Sequence, residues 1–222
     1  MPQTPGVPAT HGRGWFIAFE GVEGAGKTTQ LDRLRSELEA RGHQVVATRE
    51  PGGTPVGERI RAILLDPVAG ELEPRAEALL FAAARAQLVE QVVRPALDRG
   101  AVVLCDRYLD SSLAYQGEAR GLGRERIEQV NQWATGGLLP HLVVLLDLDP
   151  SAGLARAGGQ RDRIEDQELE FHLAVSRGFR ALAAEHPERY LVVDAALPAE
   201  QVSRQVLAGV LAHMEGSRVG LG

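Results

Sequence analysis

The sequence predicts an α/β protein: a doubly wound parallel sheet with helices on both faces. Three observations point there. Five short runs are apolar on successive positions, longer stretches of helical period separate them, and the composition can fill one core. The apolar runs are 15–19, 44–48, 101–105, 142–146 and 190–193, rich in Val, Leu and aromatics. Apolar residues on successive rather than alternate positions are what a parallel strand buried on both faces requires. Between the runs, Leu31, Leu34 and Leu38 recur at helical spacing over 29–41, and Gly42 stands where that helix should end. The Ala- and Leu-rich stretch 74–99 begins at Pro74, suited to a first turn, and meets Gly100, with Pro95 expected to kink or shorten it. Further helices are expected over 123–135, 166–185 and 198–214. Regular alternation of strand and helix gives a parallel sheet covered on both sides.

A length of 222 residues fits one domain, and 44% hydrophobic with 24% charged residues is globular composition. Such a chain buries roughly 70% of its unfolded surface and needs no disulfide or metal staple. A net charge of −6 argues against a nucleic-acid partner, for which a basic stripe would be expected. The single cysteine, Cys105, excludes an internal disulfide framework and fits a reducing, cytoplasmic compartment. No run of 18 apolar residues occurs, so no membrane span is expected. Residues 1–13 are Pro- and Gly-rich without the basic start and apolar centre of a signal peptide, and read as a disordered tail. The expected organisation is one domain over 14–215, with 216–222 as a C-terminal tail.

The sharpest motif is Gly21-Val22-Glu23-Gly24-Ala25-Gly26-Lys27-Thr28, followed by Thr29. It satisfies G-x-x-x-x-G-K-[ST], after the first expected strand and at the start of the first helix, which defines a P-loop. Several backbone N–H groups must point at a phosphate chain, and side chains would block that approach, hence the glycines. The helix N-terminus adds its positive dipole end, Lys27 a point charge for the β- and γ-phosphates, and the Thr28 hydroxyl a ligand for Mg²⁺. A dinucleotide-binding loop is rejected, because Thr29 stands at its last glycine position and a lysine is not needed there.

P-loops serve switches, motors, transporters and kinases. No N-K-x-D sequence marks a guanine-specific switch. At the C-terminal end of the third run lies Cys105-Asp106-Arg107-Tyr108, at the edge where open α/β sheets bind ligands. Asp106 there suits Mg²⁺, and Arg107 beside it calls for a second anion, such as a phosphate acceptor. Taken alone, the pair also fits a surface ion pair at a strand end.

Together, Phe19-Glu20-Gly21 with the P-loop, Arg49-Glu50-Pro51-Gly52-Gly53-Thr54, Asp106-Arg107-Tyr108, Ser111-Ser112-x-x-Tyr115-Gln116-Gly117 and Asp162-Arg163-Ile164-Glu165 resemble the thymidylate kinase family, bacterial type, over about residues 14–213. The resemblance implies a P-loop NTPase fold with a five-stranded parallel sheet and a small lid, over about 154–166. It implies transfer of the γ-phosphoryl of MgATP to dTMP in dTTP biosynthesis, and a homodimer. Arg49 and Glu50 would then border the acceptor, Phe81 would stack on thymine with Arg85 donating to a base carbonyl, and Ser112 and Gln116 would be polar contacts to the base. Tyr115 would lie near the sugar and exclude a 2′-hydroxyl. Read without the resemblance, Phe81 equally joins Leu88 and Val92 in one apolar stripe, and Tyr115 is a packing residue.

The stretch 156–163, RAGGQRDR, carries two adjacent glycines and three arginines, as a mobile cationic flap would. Arg156, Arg161 and Arg163 are the candidates to stabilise charge on the transferring phosphoryl, with no basis for choosing among them. Glu23 at the variable third position of the loop resembles the bacterial class, in which lid arginines supply that charge. Related kinases with a deoxynucleoside or another nucleotide as acceptor, and a regulatory P-loop ATPase, are the alternative readings. Cys105, inside an apolar run, reads as core, and no metal beyond Mg²⁺ is implied.

Overall fold

The computed structural model describes residues 14–66, 72–158 and 162–219. The five apolar runs form five strands: β1 (Trp15–Glu20), β2 (Val45–Arg49), β3 (Val102–Asp106), β4 (Leu142–Asp147) and β5 (Tyr190–Asp194). They pair in the order β2-β3-β1-β4-β5, all parallel. The three inner strands are buried at almost every position, as continuous apolar sequence requires. The edge strands β2 and β5, each with a neighbouring strand on one side only, are less completely covered.

Between the strands run α1 (Lys27–Ala40), α2 (Pro55–Leu65), α3 (Pro74–Leu88), α4 (Arg94–Asp98), α5 (Leu109–Ser112), α6 (Arg124–Thr135), α7 (Pro150–Ala157), α8 (Leu169–Glu185) and α9 (Ala199–Val219). Helices α1 and α9 pack on each other over one face of the sheet, while α4 and α8 meet β3 and β4 on the other. Among the described residues no helix is long and apolar enough to cross a membrane. α9 continues through Val219, beyond the end expected near 214 and into the stretch read as a tail. Residues 1–13, read as an N-terminal tail, lie outside the described residues.

Two helical segments depart from expectation. The helix expected over 74–99 neither stops nor simply kinks at Pro95: a π turn (Val89–Val93) separates α3 from α4. Proline offers no N–H and crowds the carbonyl four residues earlier, and a widened turn just before it relieves both problems. After α5 the chain again runs as a π-helical segment (Leu113–Ala119), which carries Tyr115 and Gln116. α2 has no counterpart in the sequence reading. Its start is nonetheless written in the chain, since the Thr54 hydroxyl accepts from Gly57 N at 2.9 Å and Pro55 occupies the first turn.

The topology places a site. From β1 the chain moves toward β2, whereas from β3 it moves in the opposite direction, toward β4. The C-terminal ends of these adjacent strands therefore splay apart, opening a crevice above them.

Candidate active site

A cavity of about 390 Å³ opens above β1 and β3. At one end lies the P-loop, with Glu23, Gly24, Gly26, Lys27, Thr28 and Thr29 on the wall. Gly21, Val22 and Ala25 support the loop from behind, and all three are buried. The Lys27 ammonium donates to the carbonyls of Val22 at 2.9 Å and Gly21 at 3.2 Å, so the loop's own oxygens receive the charge meant for a phosphate. Burial and the Arg107 charge push its pKa down, against the pull of Glu23 and Asp106. The hydroxyl of Thr28 donates to Asp106 Oδ2 at 2.7 Å, so strand β3 and helix α1 bring a hydroxyl and a carboxylate together at the mouth of the loop.

Gly24 has φ +68° and Gly26 φ +87°, conformations that favour glycine. Gly24 also faces a second glycine, Gly153 of α7. A Cβ on Gly24 would stand 2.0 Å from the Gly153 carbonyl oxygen, and a Cβ on Gly153 would stand 2.2 Å from the Glu23 carbonyl oxygen. The helix that leads into the lid thus rests directly on the backbone of the phosphate cradle. Nothing in the sequence reading singled out Gly153.

Arg107 lines the cavity beside the P-loop. Its guanidinium donates to Glu23 Oε1 at 2.5 Å, to the Gly21 carbonyl at 3.0 Å and to Ser111 Oγ at 3.2 Å, and it lies over the Tyr115 ring at 5.1 Å. Among the described residues it is the one non-glycine with positive φ, +69°, a conformation that costs a non-glycine residue about 1–2 kcal/mol. Strain at a residue so fully engaged points to a functional demand on its position. The Tyr115 hydroxyl donates to Glu23 Oε1 at 3.2 Å. Burial favours protonation of Glu23, but Arg107 and Lys27 outweigh it and hold the carboxyl at about 2.

Glu20, buried beneath this group, accepts from Tyr108 N at 2.8 Å, Ser111 N at 3.1 Å and the Ser111 hydroxyl at 2.6 Å. It therefore fixes the turn that carries Arg107. Burial, reinforced by the negative charge of Asp110, pushes its carboxyl up to about 7. Because the folded pKa lies above the unfolded 4.5, the native state keeps a proton that the unfolded chain has lost between those values. Stability contributed at this position falls as pH rises through that window, by about 3 kcal/mol when complete. Urea unfolding of Glu20→Gln is expected to show a shallower loss of stability between pH 5 and 8 than the wild type. Equal slopes would mean that Glu20 ionises normally in the folded protein.

Beyond the P-loop the cavity is lined by Arg49, Glu50, Phe81, Ser112, Tyr115 and Gln116, and also by Arg61, Leu65, Ser111, Asp162, Ile164 and Glu165. Arg61 was missed because it lies on α2; it donates to the Pro51 carbonyl at 3.0 Å. Arg49 turns to Glu58, with both carboxylate oxygens at 3.0 Å. Asp162 caps the turn after the lid, its Oδ1 accepting from Ile164 N at 2.8 Å and Glu165 N at 2.9 Å.

Two expectations differ from the contacts in the structure. Arg85 is 1% exposed and does not line the cavity. It donates to Glu50 Oε2 at 2.7 Å, Ser112 Oγ and the Tyr108 carbonyl at 3.0 Å each, and Asn131 Oδ1. It stands behind the wall as its anchor, and contact with a base carbonyl would require one of these bonds to give way. Glu50, its partner, lines the cavity as well as being buried in this ion pair, and burial raises its pKa against the pull of Arg85. The second concerns the lid. Arg163 points away from the P-loop, to the Leu64 carbonyl at 3.0 Å and Glu77 Oε2 at 2.7 Å, while Arg156 reaches the Ala195 carbonyl at 2.9 Å on the turn after β5. Arg161 lies outside the described residues. Arg107 is thus the arginine that the described structure brings to the P-loop.

Comparison with known proteins identifies a family. The family model described as thymidylate kinase matches residues 19–206. A thymidylate kinase of Deinococcus radiodurans is 56% identical over 200 residues, covering 89% of this chain and 97% of that relative. One from Desulfovibrio desulfuricans is 50% identical over 215 residues, covering 93% and 99%. One from Pelotomaculum thermopropionicum is 56% identical over 198 residues, covering 88% and 92%.

Proposed function

The chain belongs to the thymidylate kinase family, and from that premise we propose that its cleft transfers the γ-phosphoryl of MgATP directly to dTMP, giving dTDP and ADP. The observation that carries the site assignment is one cavity in which a phosphate cradle and a wall of Phe81, Ser112, Tyr115 and Gln116 meet at Arg107. ATP phosphates occupy the P-loop, where Lys27 exchanges its own loop carbonyls for the β- and γ-oxygens. The acceptor phosphate lies at Arg107, bordered by Arg49 and Arg61, so that the two anions share one guanidinium between them. The base lies against Phe81, with Ser112 and Gln116 as polar partners and the Tyr115 ring beside the sugar.

Thr28 and Asp106 fit Mg²⁺, which takes oxygen ligands and keeps several of its waters. When bound with ATP it supplies positive charge to the phosphate oxygens. No general base is needed, because the acceptor oxygen of a nucleotide is already ionised near neutral pH. Arg107 stabilises charge that builds on the equatorial oxygens, and lid closure excludes water. Arg156 and Arg163 are engaged elsewhere among the described residues, which leaves Arg161 as the lid candidate of the three.

ADP release from MgATP with dTMP, dUMP, dCMP, UMP or thymidine tests this reading. Strong turnover with dTMP, less with dUMP and background with UMP is expected. Equal hydrolysis with and without any acceptor would instead make the protein a regulatory ATPase.

A homodimer is also part of the proposal. Helices α3 and α6 present a shallow apolar groove whose rim holds Leu79, 59% exposed, and Trp133, 88% exposed. Exposed tryptophan in an apolar patch favours burial against a second copy. Light scattering is expected to give twice the 23.9 kDa chain mass, and a monomer at micromolar concentration would refute it. The single cysteine, buried and unpaired, is compatible with a cytoplasmic enzyme.

A further inference from the structure

Glu77, on α3, is 1% exposed and does not line the cavity, yet its carboxylate gathers three side chains from two other parts of the fold. Gln116 Nε2 donates to Oε1 at 2.9 Å, Arg120 to Oε1 at 3.3 Å and Oε2 at 3.2 Å, and Arg163 to Oε2 at 2.7 Å. Gln116 belongs to the π-helical segment and Arg120 caps its C-terminal end, while Arg163 belongs to the turn at the root of the lid. Gln116 lines the cavity, and so do Asp162, Ile164 and Glu165 around Arg163. One buried carboxylate therefore stands behind both the base end of the cleft and the lid root.

The chemistry of the contact settles which way Gln116 faces. An ionised carboxylate only accepts hydrogen bonds, so the amide nitrogen must turn to Glu77, leaving the amide oxygen as the acceptor for a ligand. Against its burial, hydrogen bonds from Gln116, Arg120 and Arg163 hold the Glu77 carboxyl below the ordinary carboxylate range, which keeps it an acceptor. Thymine joined to a sugar has one ring N–H left, at N3, whereas cytosine carries a bare acceptor at that position. An acceptor fixed in the wall rewards the first and leaves the second facing lone pair to lone pair.

We infer that Glu77 is a positioning residue for acceptor choice: it locks Gln116 with its carbonyl oxygen toward the base, and its bond to Arg163 holds residues 162–165 against that same wall. The inference rests on placing the base at the Phe81–Gln116 end of the cleft. In Glu77→Gln the charge that orients Gln116 is gone, and the Gln116 amide is free to turn and offer its N–H₂ to cytosine.

The test is kcat/KM for dTMP and for dCMP at saturating MgATP, in the wild type, Glu77→Gln, Gln116→Met and the double variant. The ratio of dTMP to dCMP is expected to fall at least tenfold in Glu77→Gln, while the KM for MgATP stays within twofold. Gln116→Met should lose the ratio by a similar factor, and the double variant should lose no more than Gln116→Met alone. Loss of turnover by one common factor for both acceptors in Glu77→Gln would leave Glu77 a merely structural residue and overturn the inference. Should Glu77→Gln fail to fold, Gln116→Met decides: a wild-type ratio there overturns the inference, and a collapsed ratio supports it. A wild type without preference for dTMP over dCMP would instead overturn the placement of the base itself.

Discussion

Replacing Arg107 by methionine is expected to lower kcat with MgATP and dTMP by roughly 10³- to 10⁵-fold, the range an arginine on a transferring phosphoryl group commands. Methionine keeps most of the stem and the same unfavourable positive φ, so backbone strain is unchanged and the loss reports the guanidinium. Three hydrogen bonds disappear with it: to Glu23 at 2.5 Å, the Gly21 carbonyl at 3.0 Å and Ser111 at 3.2 Å, along with the contact over the Tyr115 ring. Without its partner the Glu23 carboxyl, held at about 2, should titrate at a higher pH. Arg107→Lys keeps the charge but not the fork that spans these acceptors, and an intermediate loss is expected. Steady-state kinetics on purified, folded variants measures it. A kcat within tenfold of wild type for Arg107→Met would shift the charge-stabilising role to the lid.

Gly153→Ala is expected to lower kcat/KM for ATP by on the order of 10²-fold, the penalty for displacing reacting groups by about 1 Å. The new Cβ would sit 2.2 Å from the Glu23 carbonyl oxygen, which belongs to backbone and cannot rotate away. Either the P-loop or α7 must shift, and both define the donor site. A loss of stability of about 1–3 kcal/mol should accompany it, as for other overpacked positions. Gly24→Ala meets the same contact at 2.0 Å and adds the strain of φ +68°, so it should be the worse of the two. Gly216, in the last helix with no atom near its added Cβ, is the control. Gly216→Ala should leave the kinetics untouched and gain up to about 1 kcal/mol. Wild-type ATP kinetics in Gly153→Ala would show that the two glycines meet without consequence.

The fold was legible because five doubly buried strands leave an unmistakable sequence pattern, and because the P-loop carries its own strand-turn-helix context. Strand positions came within a residue or so at each end. The π-helical segment of Tyr115 and Gln116 was not legible, since a widened turn depends on packing rather than on a local residue pattern. α2 was missed although Thr54 and Pro55 announce it, because no apolar run of useful length follows. At the site, residue types were readable and several destinations were not. Arg85 and Arg163 are cations in the right neighbourhood, but an arginine goes to whichever carboxylate its fork can reach. Those carboxylates, Glu50 and Glu77, lie 35 and 86 residues away in sequence. No local rule encodes such pairings. Glu77 and Gly153 act from behind the cleft wall and carry no motif of their own.

The Glu23–Arg107 pair also bears on inhibitor design. A neutral ligand entering the acceptor side meets an arginine that already has a carboxylate 2.5 Å away, so filling that space with an uncharged mimic gains little from the guanidinium. An anionic group must compete with Glu23 for it and works only if it binds better than the resident carboxylate. A compound carrying a cation placed beside Glu23 would meet the opposite situation: it would find a counter-ion ionised throughout the physiological range and would leave Arg107 free for a second, negatively charged arm. A zwitterionic scaffold is therefore better matched to the resting pocket than a simple phosphate mimic.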